Sequence, residues 1–234
     1  MECVICNPYY SSKWAERVGQ QKFISTDFDI DLSAVDKIYF AGGEPFLNKK
    51  HWEILDNISN PEKVTLIYSS NLTYLGDVES RWAKFKLVQV NASLDGIGKF
   101  GEQVRPGLDW NRWQKNMIDI KHMDNVSVEI AATISLINIW YVNDMEDYAK
   151  EHGIKIKFYC LNNPKYFCLS TLPDKLKKQI KHVPTSDLEE LLSMDTSHLF
   201  NQAIASILLG DRLRKTNLWD YLPFEKYAME NLLT

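Results

Sequence analysis

Long apolar runs are missing from this chain of 234 residues, and none is long enough to cross a bilayer. The N-terminus, Met1-Glu2-Cys3, has no basic segment and no apolar stretch of the signal-peptide kind, so a cytoplasmic location is expected. An excess of positive charge is also missing. Lys and Arg number 27 against 31 Asp and Glu, a net charge of -4. That balance leaves no electrostatic footprint for nucleic acid and no basic cluster for an anionic membrane. Cysteine is scarce: Cys3, Cys6, Cys160 and Cys168 are too few for a disulfide scaffold, which a chain of this size does not need. The five histidines, His51, His122, His152, His182 and His198, show no ligand spacing and read as surface residues. No Ser/His/Asp or H-E-x-x-H arrangement is found, nor any internal repeat or low-complexity tract.

Hydrophobic residues make up 45% of the chain, enough to bury a full core. Short apolar runs at 37–40, 64–68, 87–94, 126–134 and 154–159 read as strands. Helical patterns at 49–58, 78–84, 110–122 and 142–152 fill the gaps. This alternation predicts an α/β fold with parallel strands and right-handed crossovers, either an open doubly wound sheet or a barrel. From about Pro164 the strand signal stops. Helices are expected at 174–182, 186–194, 197–213 and 224–232, with Pro173 placed at a helix start. The expected division is a barrel-like body over 1–161 and a helical C-terminal extension over 162–234.

The chemically unusual residues follow the strands. Gly42, Gly43 and Glu44 follow the first, Ser69, Ser70 and Asn71 the second, Ser93, Asp95 and Gly96 the third, and Thr133, Ser135 and Asn138 the fourth. In a parallel sheet all these ends lie on one edge, where α/β folds place ligands. Parity adds to this. Leu87, Gln89, Asn91, Ser93 and Asp95 share one face of the third strand, and Val88, Val90, Ala92 and Leu94 share the other. Likewise Glu129, Ala131, Thr133 and Ser135 oppose Val128, Ile130, Ala132 and Ile134. A polar row needs hydrogen-bond partners, supplied by water, by the row itself or by a bound polar cofactor. In Gly42-Gly43-Glu44-Pro45 the glycines free the backbone to approach a ligand, and Glu44 puts a carboxylate beside it. The same residues also serve as a tight turn before a helix.

Four segments together resemble radical S-adenosylmethionine (SAM) enzymes, in particular those with SPASM or twitch extensions. They are Cys3-x-x-Cys6-Asn7-Pro8, Gly42-Gly43-Glu44-Pro45, Ser93-Leu94-Asp95-Gly96 and Arg105-x-Gly107-x-x-Trp110. The run from Asn7 through Tyr9, Tyr10, Ser11, Ser12 and Lys13 to Trp14 is similar to the loop of small twitch-type members. Tyr166, Leu172-Pro173 and Asp211-Arg212 resemble the tail of that group.

The resemblance implies a partial (β/α)6 TIM-like barrel of parallel strands, a [4Fe–4S] cluster and SAM. It also implies a one-electron donor and, by analogy with related members, a peptide or protein substrate. The family's cysteine loop reads C-x-x-x-C-x-x-C. Cys3 and Cys6 match its second and third cysteines, while the first cysteine and the first strand fall ahead of Met1, so a truncated fragment, a mis-called start codon or a split gene is expected, with genuine degeneration as the alternative. Gly42, Gly43, Glu44 and Pro45 are implied to hold the SAM ammonium, with Asn71 at a position where the family often has Thr-Asn. Ser93 and Asp95 match positions contacting the ribose or the methionine end. Arg105 is implied for the SAM carboxylate. Thr133, Ser135 and Asn138 are implied for ribose or adenine, and Tyr159 for adenine packing or plain core packing.

Cys160 and Cys168 do not make an auxiliary-cluster site and read as small buried thiols. Trp14, Trp110, Trp113, Trp140 and Trp219 read as core or rim. Two other functions compete with the enzyme: a non-catalytic barrel that binds SAM or a partner without a cluster, and a zinc-binding structural protein using Cys3 and Cys6. The last lacks a second ligand pair at zinc-site spacing.

Overall fold

Alternating burial along short β-branched and aromatic runs builds the sheet. The computed structural model describes residues 1–6, 11–20, 31–224 and 227. Five strands form one sheet in the order β1-β2-β3-β4-β5: β1 (Lys37–Phe40), β2 (Thr65–Ser70), β3 (Leu87–Ser93), β4 (Val126–Ile134) and β5 (Lys155–Cys160). β1 and β2 are parallel, with Lys37 opposite Thr65 and Phe40 opposite Tyr68. β2 and β3 are parallel, with Thr65 opposite Leu87 and Ser70 opposite Ala92. Each strand thus pairs with its neighbours in the sequence. A doubly wound sheet reverses direction at a switch point, and this order has none, so of the two architectures the alternation allows, the barrel type fits.

Nine helices of the described residues accompany the strands. They are α1 (Ser12–Arg17), α2 (Lys49–Asp56), α3 (Val78–Trp82), α4 (Gly98–Val104), α5 (Trp110–Lys121), α6 (Val142–Glu151), α7 (Asp174–Lys177), α8 (Ser186–Ser193) and α9 (Phe200–Arg214). Two of them, α1 and α4, are absent from the sequence reading. α1 is six residues long with only Ala15 buried, and it starts on the Ser11 hydroxyl, which accepts from Trp14 N; an amphipathic period needs a longer window. α4 carries Gly98 and Gly101, poor helix formers, and rests instead on burial of Phe100, Gly101 and Val104. The helix expected at 174–182 ends at Lys177. The stretch expected at 197–213 is a 3-10 turn, Ser197–Leu199, followed by α9. The helix expected at 224–232 lies almost wholly outside the described residues, as do Asn7, Pro8, Tyr9 and Tyr10 of the cysteine loop.

The chain divides into two compact units, and the division falls within β4. One comprises Pro8–Ser93 and Leu108–Ile130. In it Leu66, Tyr68, Val88, Val90 and Ala92 are buried on the helix-covered face of β2 and β3. The alternate residues Ile67, Ser69, Asn91 and Ser93 stay partly exposed, as parity predicts. The other unit comprises Met1–Asn7, Leu94–Gly107 and Ala131–Thr234. Its core gathers Ala132, Ile134, Met145, Leu172, Ile204 and Phe224.

His51 departs from its expected surface position: it is 3% exposed. It lies on α2 among the rings of Phe40, Phe46 and Trp52, at centroid distances of 4.7, 5.6 and 4.4 Å. Trp82 Nε1 donates to the Tyr68 hydroxyl, at 3.3 Å, and that hydroxyl lies 2.9 Å from His51 Nε2. The imidazole tautomer sets which of Tyr68 and Nε2 donates in this bond. The Nδ1 of His51 is buried without a partner. Burial, and next the Arg81 charge, press its pKa down to about 4 from an ordinary 6.5. Between those values the unfolded chain holds a proton that the native chain does not. Stability should therefore be full above about pH 6.5 and decline as pH falls toward 4. Urea midpoints taken from pH 7 to pH 4.5 should fall, and the slope should shrink in His51→Phe. An unchanged slope in that variant would discard the assignment.

Candidate functional site

The residues singled out from the sequence fall into two groups, one in each unit. In the unit containing β1 to β3, Gly42 and Gly43 follow β1 with φ of 82° and 58°. A Cβ on either would meet nothing within 4 Å. The glycines are therefore required by the left-handed backbone and not by crowding. They deliver Glu44 in an extended conformation at the start of the 3-10 turn Pro45–Leu47. Both oxygens of its carboxylate are engaged at the end of β2. Ser70 Oγ donates to Oε1 at 2.7 Å, and Asn71 N donates to Oε2 at 2.9 Å. Leu72, with φ of 50°, donates its N–H to Ser70 Oγ at 3.0 Å, and Asn116 holds its carbonyl at 2.7 Å. Asn71 Oδ1 accepts from Thr73 N at 3.0 Å. Ser93, the last residue of β3, belongs to this unit and is half-buried.

The second group starts just past β3. Asp95, 1% exposed, bonds to three residues distant in sequence. Its Oδ1 accepts from Thr133 N at 2.9 Å, its Oδ2 pairs with Arg105 Nη1 at 2.7 Å, and its carbonyl accepts from Asn138 Nδ2 at 3.0 Å. Asn138 Nδ2 also donates to the Thr133 carbonyl, while its Oδ1 accepts from Ser135 N at 2.8 Å and from Ser135 Oγ at 3.1 Å. Ser135 and Asn138 are fully buried, with their side-chain polar atoms bonded to each other and to neighbouring backbone. Half-buried Thr133 is the member of this trio left at the surface. Gly96 is required by packing: a Cβ there would come within 2.5 Å of the Phe100 ring.

The cysteine segment is pinned to the end of α4. Glu2 N donates to Pro106 O at 3.1 Å, and Val4 N to Val104 O at 2.9 Å. The neighbouring Cys6 thiol lowers the Cys3 thiol to about 6 against the opposing effect of burial, with the Arg105 charge helping. Cys3 in turn raises Cys6. Arg105 is buried with Nε lacking any partner, an orphan donor on a cation beside two thiols. Cys3, Cys6, Asp95, Arg105, Thr133, Ser135 and Asn138 thus belong to one unit, and Gly42, Gly43, Glu44, Pro45, Asn71 and Ser93 to the other. What sequence reading missed is the Asp95–Arg105 pair itself. Both residues were marked as ligand contacts, and a ten-residue separation across an unrecognised helix hides their contact.

Two further expectations change. Cys168 is buried, its Sγ 3.7 Å from the Pro164 carbonyl, but Cys160 is only half-buried. Burial, with Asp187 and Glu190 nearby, raises the Cys160 thiol. Tyr159 is 47% exposed, which removes core packing as its role.

The donor set tests the fit of an iron–sulfur cluster. Among the described residues no group of three His, Cys, Asp or Glu side chains is placed to hold a metal ion. Cys3 and Cys6 offer two thiols where a [4Fe–4S] cluster of this type takes three, so these residues do not complete such a site.

No protein-family profile matches the chain. A stretch of 104 residues is 31% identical to a probable GTP 3′,8-cyclase of Methanopyrus kandleri, covering 42% of this chain and 32% of that protein. The likeness supports the radical SAM superfamily. The chain spans about a third of the length of that curated relative, 32%. Among solved structures, native anSMEcpe with bound AdoMet and Cp18Cys peptide is 22% identical, with a TM-score of 0.45, over 62% of this chain and 45% of that one. Streptococcus suis SuiB bound to S-adenosylmethionine is 16% identical, with a TM-score of 0.45, over 70% of this chain and 39% of that one. No helix among the described residues is long and apolar enough to cross a membrane.

Proposed function

We propose that this chain is the body of a radical SAM enzyme of the SPASM or twitch type, with a barrel over 1–161 and an extension over 162–234. The reading rests above all on the buried Arg105 guanidinium, whose Nε has no partner and whose charge acts on Cys3 and Cys6. A buried donor without an acceptor costs free energy, and an anionic ligand group would remove that cost. The SAM carboxylate is the proposed acceptor. Gly42, Gly43, Glu44 and Pro45, with Asn71, are proposed to take the SAM ammonium. Ser93 and Thr133 are proposed for the ribose, with Tyr159 against adenine. Asp95, Ser135 and Asn138, whose polar atoms are committed internally, are proposed to hold the shape of that strand edge.

Cys3 and Cys6 would supply two thiolates to a [4Fe–4S] cluster, with the third ligand coming from outside the described residues. Such a cluster would supply the one-electron chemistry for cleaving SAM, while Arg105 and Glu44 are proposed to hold the two ends of its amino-acid part. A peptide is the proposed substrate class.

The test is anaerobic reconstitution with iron and sulfide, in the presence of a small thiol able to complete the ligand set. Iron is counted, SAM binding is measured by equilibrium dialysis, and 5′-deoxyadenosine is sought after dithionite. Iron approaching about four per chain, lost in Cys6→Ser, together with SAM binding and 5′-deoxyadenosine, is the expected result. Absence of SAM binding would overturn the reading. SAM binding by an iron-loaded chain that yields no 5′-deoxyadenosine would favour a non-catalytic SAM-binding barrel.

A further inference from the structure

The unit that contains β1 to β3 also carries a groove between α3 and α5. It consists of two clefts of about 470 and about 750 Å³, which share Glu79, Asp119 and Met123 and so form one channel. Each lies in the size range of clefts that hold ligands, ~300–1,000 Å³. Two amides fix its walls. At the end that opens beside Thr73, Asn116 Nδ2 of α5 donates to the Leu72 carbonyl at 2.7 Å. At the other end Asn125 Nδ2 donates to the carbonyls of Trp82 and Phe85, each at 2.8 Å. Leu75, Ala83 and Met123 give the channel an apolar floor that water reaches. Methionine in such a floor adapts to the shape of what it meets. In the smaller cleft Arg112 and Lys115 lie beside Asp109 and Asp119. Among the described residues no Lys or Arg lines the larger cleft. There Glu79 and Asp124 are exposed, and neither pairs with a cation among the described residues. The same cleft meets the C-terminal end of α5, whose last carbonyls carry partial negative charge.

We propose that this groove docks a basic peptide segment, in which Leu-sized side chains cover the floor and Lys or Arg side chains between them meet Glu79 and Asp124. Charge decides the class of partner. The larger cleft repels a phosphate, a nucleic acid or an anionic lipid surface, and it attracts a cation. The apolar floor adds a demand that a bare polycation does not meet. The groove opens two residues past Asn71, at the end of β2, so a segment lying in it has one end beside the edge where the unusual residues gather. Docking itself needs only the groove. That the docked segment is a recognition sequence of the substrate, apart from the residue that reacts, rests on the peptide reading above.

The probe is a fluorescein-labelled synthetic peptide of Leu-Lys-Lys repeats, titrated with the full metal-free chain and followed by anisotropy. Saturable binding is expected, weakening as salt rises and the carboxylates are screened. Two control peptides, Ser-Lys-Lys and Leu-Glu-Glu repeats, should each bind at least about tenfold more weakly. Glu79→Lys combined with Asp124→Lys should cost the Leu-Lys-Lys peptide about tenfold or more. Both positions are exposed, and an unchanged urea midpoint in that variant confirms that the fold is intact. The proposal fails if the Leu-Lys-Lys peptide does not bind, if the Ser-Lys-Lys peptide binds as tightly, or if the charge-reversed chain binds with unaltered affinity. A chain that sediments as a dimer, with the charge-reversed variant monomeric, would give the groove to a second copy and also overturn it. Neither iron nor SAM enters this titration, so its failure leaves the enzymatic reading standing, and failed reconstitution leaves the groove standing.

Discussion

Asp95→Ala should destabilise the protein by about 3–5 kcal/mol, the cost of leaving a buried charge without its partner. Asp95 and Arg105 meet at 2.7 Å with side-chain exposures of 2% and 11%. Removing the carboxylate leaves the guanidinium in place with no counter-charge at Nη1 and its Nε already unpartnered. It also takes the acceptor away from Thr133 N. Three variants separate these contributions. Asp95→Asn keeps an oxygen for Thr133 N and loses the charge, so it should be damaged less than the alanine variant. Asp95→Ala combined with Arg105→Met removes both charges and should recover much of the loss, since an apolar side chain can fill the space of a buried ion pair. Urea unfolding midpoints read all three. A loss of under about 1 kcal/mol in Asp95→Ala would show that the pair does not hold the 94–107 segment to Thr133.

The strands were legible because their signal is local. The apolar runs at 37–40 and 126–134 coincide with β1 and β4, and the parity of residues 87–93 matches their burial in β3. Alternation of side chains is a property of a few consecutive residues. Whatever depends on contacts across the fold was not legible. α4 stands on the burial of Phe100 and Val104 against glycines that argue for a loop. His51, one residue in a polar-looking helix start, is buried because Tyr68 and Trp82 lie beneath it. The site divides in the same way. The unusual residue types at strand ends marked Glu44, Asp95, Ser135 and Asn138 as special, but residue type does not separate a ligand contact from an internal brace. Asn138 shows the difference, since a buried amide with its oxygen and nitrogen both bonded within the chain is a brace. Ser69 was marked only as polar, yet its hydroxyl meets the exposed Tyr39 at 2.8 Å.

Glu44 carries the other large effect, and its two duties can be told apart. One is internal: its oxygens hold Ser70 Oγ and Asn71 N, fixing the chain where it leaves β2. The other is the proposed salt bridge to the SAM ammonium, which needs the negative charge. Glu44→Ala ends both, and SAM affinity should fall by about a hundredfold, the size of one charge-assisted hydrogen bond lost from a partly buried site. Glu44→Gln retains one amide oxygen for Asn71 N and removes the negative charge. Its stability should stay near that of the unaltered chain while SAM affinity falls almost as far as in the alanine variant. Ser70→Ala breaks the brace without touching the carboxylate charge, so it should lower the unfolding midpoint and leave most of the SAM affinity in place. Equilibrium dialysis with labelled SAM, paired with urea unfolding on the same preparations, resolves the four proteins. If Glu44→Gln binds SAM as tightly as the unaltered chain, the carboxylate is a brace alone. The ammonium must then be held by carbonyls such as those the left-handed Gly42 and Gly43 present.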